Sequence, residues 1–253
     1  MAQTTKAHPA KIGTIGQPTG RDLLVDRLKD LCQVATLNPA VAPVAVGLSI
    51  ALGMVQKQGE QSLRDFVQEI FEDVKTIKMQ VNADRMNDPG YLATMVRVFK
   101  AVQFELQEEK RRCYRAVLLN SLTEEIGRHP EAQREFMLSL LEGLSLYAIM
   151  ALRILNDPQG VNAEYNEILA KTGKPRPNPV TLWEVMFVFA NRQIEQPTFG
   201  AVLADLGSKR LIELGGTSPD NLLRAHLLLD TKRVITDFGR EFMRFITLPV
   251  SNA

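Results

Sequence analysis

The sequence is poor in the residues that most often build catalytic and metal centres. It has two cysteines and three histidines in 253 residues, and no histidine is spaced from Cys, Asp or Glu as in a metal site. Glycine-rich phosphate loops of the forms GxGxxG and GxxxxGK[ST] are absent, and Ser49 in "GLSIALG" does not match the nucleophile elbow G-x-S-x-G. We therefore predict no metal, no cofactor and a non-enzymatic protein, with an enzyme of unrecognised type as the alternative.

The chain also lacks a strong net charge and a signal peptide. Its net charge is +1, so no bulk electrostatic signal points to nucleic acid or to an anionic membrane. The first residues, "MAQTTKAHPAKIGTIGQPTG", contain no apolar run of the kind that a signal peptide needs. Cys32 and Cys113 lie in separate helical patterns, which favours reduced thiols over a disulfide. Together these features predict a cytoplasmic protein.

One uncharged apolar segment does occur, and it lies within the uncharged interval between Asp30 and Lys57. From Ala40 to Val55 it has about sixteen apolar or small residues, whereas a spanning helix needs roughly 20. A proline and two glycines interrupt it. We therefore favour the central helix of a bundle, with a membrane-seeking element as the alternative. Its large apolar side chains are Val41, Val44, Val46, Leu48, Ile50, Leu52, Met54 and Val55.

Much of the remaining chain repeats its apolar residues with the period of an α-helix. From Leu63 to Val81 they recur at i, i+3, i+4 and i+7, which predicts an amphipathic helix. A second helical pattern begins at Asp88 and Pro89, a residue pair typical of a helix start. Its apolar face includes Leu92, Met95, Val96, Phe99, Leu106, Leu118 and Leu122, and we predict a solvated face or a joint at the charged run Glu109–Arg112.

Two sequence patterns that end helices divide the rest of the helical region. Gly143 and Ser145 predict that one helix stops and the next begins, with Ser145 as the N-cap. The turn cluster 156–160 predicts an end to that helix, and a less regular segment is expected after it. The stretch Lys171–Pro179, "KTGKPRPNP", has three prolines and cannot continue a helix, so we place a domain boundary there.

The segment after this linker has a different order of elements. A capping box formed by Thr181 and Glu184 predicts a helix, and a second short helix follows Pro197. A loop, a short strand, a turn at 230–232, a second strand and a helix from Thr236 complete the pattern, which is the order of a winged helix. The predicted fold is mainly α, a helical bundle with a C-terminal winged-helix-like domain of helices and a small β-hairpin. Its parts are a flexible arm (1–19), the bundle (20–171), the Pro-rich linker (172–179) and the winged-helix-like domain (180–253).

A winged helix contacts DNA or protein through the end of its second helix and through its wing. The candidate contact residues here are Ser208, Lys209, Arg210, Arg224, Lys232 and Arg233. Acidic residues are interspersed among them, so no basic stripe of the kind expected of a DNA reader is formed. This charge pattern favours contact with a protein over contact with DNA.

Several segments together resemble a set of bacterial helical proteins. They are the apolar N-terminal segment, "QSLRDFVQEIFEDVKTI", "RRCYRAVLLNSL", "FMLSLLEGLSLYAIMALRILNDP", "VLADLGSKRLIEL" and "ITDFGREFMRFI". In this layout the chain is similar to the abortive-infection alpha proteins, which are associated with defence against phage. The resemblance implies a bacterial or phage-related cytosolic protein without known catalytic residues, so it brings no active site to this chain.

The sequence therefore predicts a non-enzymatic interaction or regulatory protein, and the resemblance implies a component of phage defence. A protein partner is expected, and long amphipathic helices make a homo-oligomer plausible. Two alternatives stay open, a winged-helix DNA-binding regulator and a conditional membrane-active effector that uses the apolar segment 41–55.

Overall fold

In a computed structural model of the chain, the structure describes residues 63, 65–70, 73, 88–121, 129–228, 231 and 234–248. These residues are mainly helical, and within them β-pairing is limited to isolated bridges. Residues 63, 65–70 and 73 are helical. The helices that follow are α1 (Pro89–Val102), α2 (Glu108–Ser121), α3 (Glu131–Gly143), α4 (Leu146–Asn156), α5 (Pro158–Thr172), α6 (Leu182–Phe189), α7 (Gln196–Ser208), α8 (Pro219–Leu223) and α9 (Asp237–Ile246).

The helix starts that the sequence predicts are confirmed by their caps. The Asp88 carboxylate accepts a hydrogen bond from the backbone N–H of Gly90 at 2.9 Å, with Pro89 following it. Ser145 caps α4 in the same way, and Thr181 with Glu184 forms the complete capping box of α6. These side chains satisfy backbone N–H groups that have no partner within the first turn of a helix.

Helix α2 lies at the centre of the described structure. Every residue from Cys113 to Ser121 is buried, and the helix packs against α1, α4 and α9. The described residues of the earlier helix add Leu63, Phe66 and Ile70 to the same core, which confirms the apolar face predicted for that stretch. Burial of one apolar face against neighbouring helices is the main source of helix stability in proteins.

Helices on both sides of the predicted linker share this core. Helix α4, before the linker, packs against α6, α7 and α9, which follow it. Residues 174–179 between them are not helical, as the sequence predicts. The structure thus joins the two parts through a common set of buried side chains, and the domain boundary stays a prediction.

The charged run at Glu109–Arg112 is solvated as predicted at Glu109 and Arg112, which are exposed, and differs from its prediction at Arg111. Helix α1 ends at Val102 and α2 begins at Glu108, so the joint lies just before the run, which forms the first turns of α2. Arg111 is buried, and its guanidinium lies 3.6 Å from the carboxylate of Glu69. Leu106, predicted to lie on the apolar face, is 94% exposed because it falls in the joint.

The segment predicted to be irregular after residue 160 is helix α5. The Asp157 carboxylate accepts from the backbone N–H of Gly160 at 2.9 Å, and Pro158 occupies the first turn. Val161, Tyr165 and Leu169, four residues apart, bury one face of the helix. The Asp-Pro pair read as a turn is therefore a helix start, the same signal that begins α1.

The residues of the predicted β-hairpin pair with other segments where the structure describes them. His226 forms an antiparallel bridge with Thr181, and Ile235 forms one with Ile212. Residues 229, 230, 232 and 233 lie outside the described part. Within the described part the structure shows no hairpin, so the winged helix stays a prediction.

Among the described residues, no single helix is long and apolar enough to cross a bilayer. Helices α3 and α4 reach that length and apolarity only as a pair, and they are bent by 116° relative to each other.

Candidate functional site at the end of helix α7

The candidate site lies at the C-terminal end of helix α7. The backbone N–H of Leu211 donates to the carbonyl of Leu206 at 3.0 Å, and that of Arg210 donates to the carbonyl of Gly207 at 3.0 Å. This pair of bonds is a Schellman motif, whose turning residue takes a left-handed conformation that usually belongs to glycine. Here the turning residue is Arg210, with φ of 58°. An arginine in this conformation costs about 1–2 kcal/mol relative to the right-handed region.

Helix α9 begins against this turn. The Thr236 hydroxyl donates to the carbonyls of Arg210 and Leu211 at 2.8 and 3.1 Å, and it accepts from the backbone N–H of Gly239 at 2.8 Å. A methyl group added to Gly239 would stand 2.1 Å from the carbonyl oxygen of Leu211. The first turn of α9 can approach the end of α7 this closely only because residue 239 has no side chain.

A groove of about 610 Å³ opens on the outside of this junction. Its wall is mainly apolar and includes small residues of α7, since Ala204 and Gly207 leave room between the helix and the chain that follows it. The remaining apolar wall comes from Ile212, Leu214 and Pro219. Two of the predicted contact residues, Ser208 and Arg210, line the same groove. The site that the structure provides here is therefore suited to apolar side chains.

The charges around the groove are largely compensated. Lys209 forms an ion pair with Asp205 one turn earlier on α7, and Arg240 pairs with Asp237 at 3.2 Å on α9. Glu213 adds a negative charge to the lining of the groove. Phosphate groups of a nucleic acid are held by Lys and Arg charges that are available to them, and this arrangement offers few.

The predicted contact residues are brought together only in part. Ser208, Lys209 and Arg210 share the end of α7, whereas Arg224 follows α8 and is exposed there. Lys232 and Arg233 lie outside the described residues. So does the apolar segment formed by Val41, Val44, Val46, Leu48, Ile50, Leu52, Met54 and Val55.

A second polar cluster, at the start of α2, was missed by sequence reasoning. The buried Arg115 side chain forms ion pairs with Glu69, with Asp73 at 2.9 Å and with Glu108 at 3.1 Å. Arg111 lies beside it, 3.6 Å from Glu69. Burial acts to lower the pKa of Arg115, and the neighbouring carboxylates outweigh it, so that the pKa is raised. These ion pairs hold α2 to the helix that contains residues 65–70 and 73.

At the other end of α2, the buried side-chain amide of Asn120 caps the C-terminal end of helix α9. The Asn120 side-chain nitrogen donates to the carbonyls of Arg244, Phe245 and Thr247 at 2.8, 3.0 and 2.8 Å. The last carbonyls of a helix have no partner inside it, and Asn120 supplies one from a different helix. A lone Asn in an apolar pattern was the only sequence signal for this contact.

Groups that could act as nucleophiles or metal ligands are few in the described part of the chain. Burial raises the pKa of the Cys113 thiol to about 12, which keeps it protonated at neutral pH. No group of three or more His, Cys, Asp or Glu residues among those described is placed to hold a metal ion. The groove at the end of α7 offers a binding surface for apolar side chains.

No protein-family model, curated protein or solved structure matches this chain. Its function is therefore inferred from its own residues.

Proposed function

We propose that the chain is a non-enzymatic interaction protein that binds an apolar segment of a protein partner in the groove at the end of α7. The observation that carries this proposal is the position of Arg210. It turns α7 in a conformation that favours glycine, and it lines the groove. Backbone strain of this kind concentrates at functional sites, where a side chain is needed despite its cost.

The shape of the groove supports one kind of occupant. Ala204, Gly207 and Ser208 lie at i, i+3 and i+4 on α7, so they form one small-residue face of the helix. Together with Ile212 and Leu214 they leave a concave apolar surface that fits a leucine- or isoleucine-bearing segment. A polar rim around an apolar centre is typical of protein interfaces, and Arg210 and Glu213 supply it here.

We further propose that this part of the chain is a degenerate winged helix used for protein contact. The order α6, α7, the Ile212–Ile235 bridge and α9 supports the resemblance in layout. The pairing of Lys209 with Asp205 supports a protein partner over DNA, because the charge predicted for a phosphate is already used. The resemblance to the abortive-infection alpha proteins adds phage defence as the proposed setting.

The groove is tested by placing a photo-crosslinking amino acid in it. In the full chain expressed in bacteria, a benzophenone side chain at position 204 is compared with the same group at position 201, an exposed alanine one turn earlier on α7 that does not line the groove. A discrete crosslinked protein is expected at position 204 alone. Equal products at both positions, or none at 204, would contradict the use of this groove.

The setting is tested by phage challenge of cells that carry the wild type, Ala204→Arg or Ala201→Arg. The arginine at 204 would fill the groove and is expected to abolish protection, whereas the matched change at 201 preserves it. Purified chain is also mixed with labelled random DNA duplex at two salt concentrations. Anisotropy that rises at low salt and falls steeply with added salt would favour the DNA-binding alternative instead.

A further inference from the structure

A second cavity, of about 320 Å³, is formed by residues from three separate segments of the chain. Asn162 comes from α5, Arg176 and Asn178 come from the Pro-rich stretch, and His226 comes from the bridge to Thr181. None of these residues lines the groove at α7. The volume lies at the lower end of the range for small-molecule pockets.

The Arg176 guanidinium is positioned by its neighbour. Its Nη2 donates to the Oδ1 of Asn162 at 3.3 Å. This bond turns the amide of Asn162 so that its oxygen is engaged and its N–H groups are the donors that remain. In the part of the chain that the structure describes, no carboxylate forms an ion pair with Arg176. The guanidinium therefore brings to the cavity a positive charge that is not held in an ion pair with a described carboxylate.

The imidazole of His226 is also held in place. Backbone bonds from Leu182 N to Ala225 O at 3.2 Å and from Leu227 N to Val180 O at 3.0 Å fix this stretch of chain. The Nδ1 of His226 accepts from the backbone N–H of Leu228 at 3.3 Å. In the neutral ring the hydrogen then resides on Nε2.

One acidic side chain in this region, that of Glu184, takes part in a helix cap. The Glu184 carboxylate accepts from the backbone N–H of Thr181 at 2.9 Å as part of the capping box of α6. The polar side chains that line the cavity are those of Asn162, Arg176, Asn178 and His226. The Arg176 guanidinium and the amide N–H groups of Asn162 beside it are donors that match an anion, and a guanidinium pairs especially well with the oxygens of a phosphate.

We propose that this cavity binds a small phosphate monoester, with Arg176 and Asn162 on the phosphate and His226 and Asn178 around it. The size of the cavity admits a phosphorylated small molecule and excludes a folded macromolecule. The site does not depend on the groove at α7 or on the nature of its partner.

The test is calorimetric titration of the full chain with ribose 5-phosphate, ribose and citrate. Ribose 5-phosphate is expected to bind with a Kd below about 1 mM, ribose not to bind, and citrate to bind more weakly. Equal affinity for ribose would overturn the role of the phosphate, and equal or tighter binding of citrate would assign the cavity to carboxylates instead. Absence of binding by ribose 5-phosphate would refute the site.

Variants locate the binding. Arg176→Gln is expected to weaken ribose 5-phosphate binding by at least about tenfold, because a hydrogen bond to a charged group is lost. Asn162→Leu should weaken it to a smaller extent. Arg153→Gln is the matched control, since this exposed arginine pairs with Glu164 and does not line the cavity. Unchanged affinity in Arg176→Gln, with circular dichroism showing a native fold, would place the binding elsewhere and overturn the proposal.

Discussion

Replacing Asn120 by aspartate should destabilise the fold in a way that depends on pH. In the wild type, one side-chain nitrogen donates to three carbonyls at the end of α9, and the residue is only 4% exposed. Asn120→Asp keeps the shape of the side chain and removes both of its N–H donors. The carbonyls then face a carboxyl group, whose ionised form has oxygens with no hydrogen to offer.

The size of the effect follows from the number of bonds lost. Two N–H donors contribute about 1 kcal/mol each, and buried acceptors left without a partner cost about 1–3 kcal/mol. We therefore expect Asn120→Leu, which also removes the donors, to lower the free energy of unfolding by about 2–4 kcal/mol at any pH. Asn120→Asp should lose at least this much at pH 7, because a buried charge is added.

The stability lost in Asn120→Asp should increase as the pH rises. Burial beside carbonyl oxygens raises the pKa of the introduced carboxyl above its ordinary value of about 3.9. Below that ordinary value the group is protonated in both states, and one hydrogen bond to a carbonyl can form. As the pH rises, the unfolded state ionises first, so the variant loses about 1.4 kcal/mol per pH unit until the folded pKa is reached.

The assay is urea unfolding followed by circular dichroism at pH 4.5, 6 and 7.5, with each variant compared with the wild type at the same pH. Asn221→Asp is the matched control, because Asn221 is exposed on α8 and the same chemical change is made there. The reasoning would be refuted by an Asn120→Asp penalty that does not grow with pH, or by one no larger than that of the control.

Two further predictions concern buried positions. Gly239→Ala should lower the free energy of unfolding by about 2–3 kcal/mol, because its methyl group meets the backbone oxygen of Leu211. Gly143→Ala, at a position with open space around it, should be neutral or stabilising. Thermal unfolding of both variants measures the difference, and equal effects would contradict the prediction. In a Cys32→Ser background, iodoacetamide at pH 8 should modify Cys113 about a thousandfold more slowly in the folded chain than in urea, because burial raises the pKa of the thiol to about 12. Rapid modification of the folded chain would contradict this prediction and show that the thiol is accessible.

The features that sequence predicts well are those whose physics is local. The N-caps Asp88, Ser145 and Thr181 lie within three residues of the N–H groups that they bind. Apolar side chains three and four residues apart mark the buried face of a helix without knowledge of its neighbours. The same local signal was present at Asp157, where a proline and a glycine nearby favoured a turn over the helix that forms.

The features that sequence does not predict depend on distant residues. The carboxylates that neutralise Arg115 include Glu69, which lies 46 residues earlier in the chain. Charged residues in the first turns of a helix are ordinarily solvated, and only the packing of two helices places Arg111 and Arg115 beside Glu69 in a buried ion-pair cluster. The groove and the left-handed turn at Arg210 are likewise products of packing, since neither is visible in the residue types around them.

The bond between Asn120 and the end of α9 also says something about when the fold is completed. The carbonyl of Thr247 lies 127 residues after the amide that binds it. During synthesis, helix α2 leaves the ribosome long before its main packing partner, and its apolar surface must wait for α9 to arrive. Until then the nascent chain is a partly folded bundle with exposed apolar surface on α2, and such surface favours aggregation and the binding of chaperones.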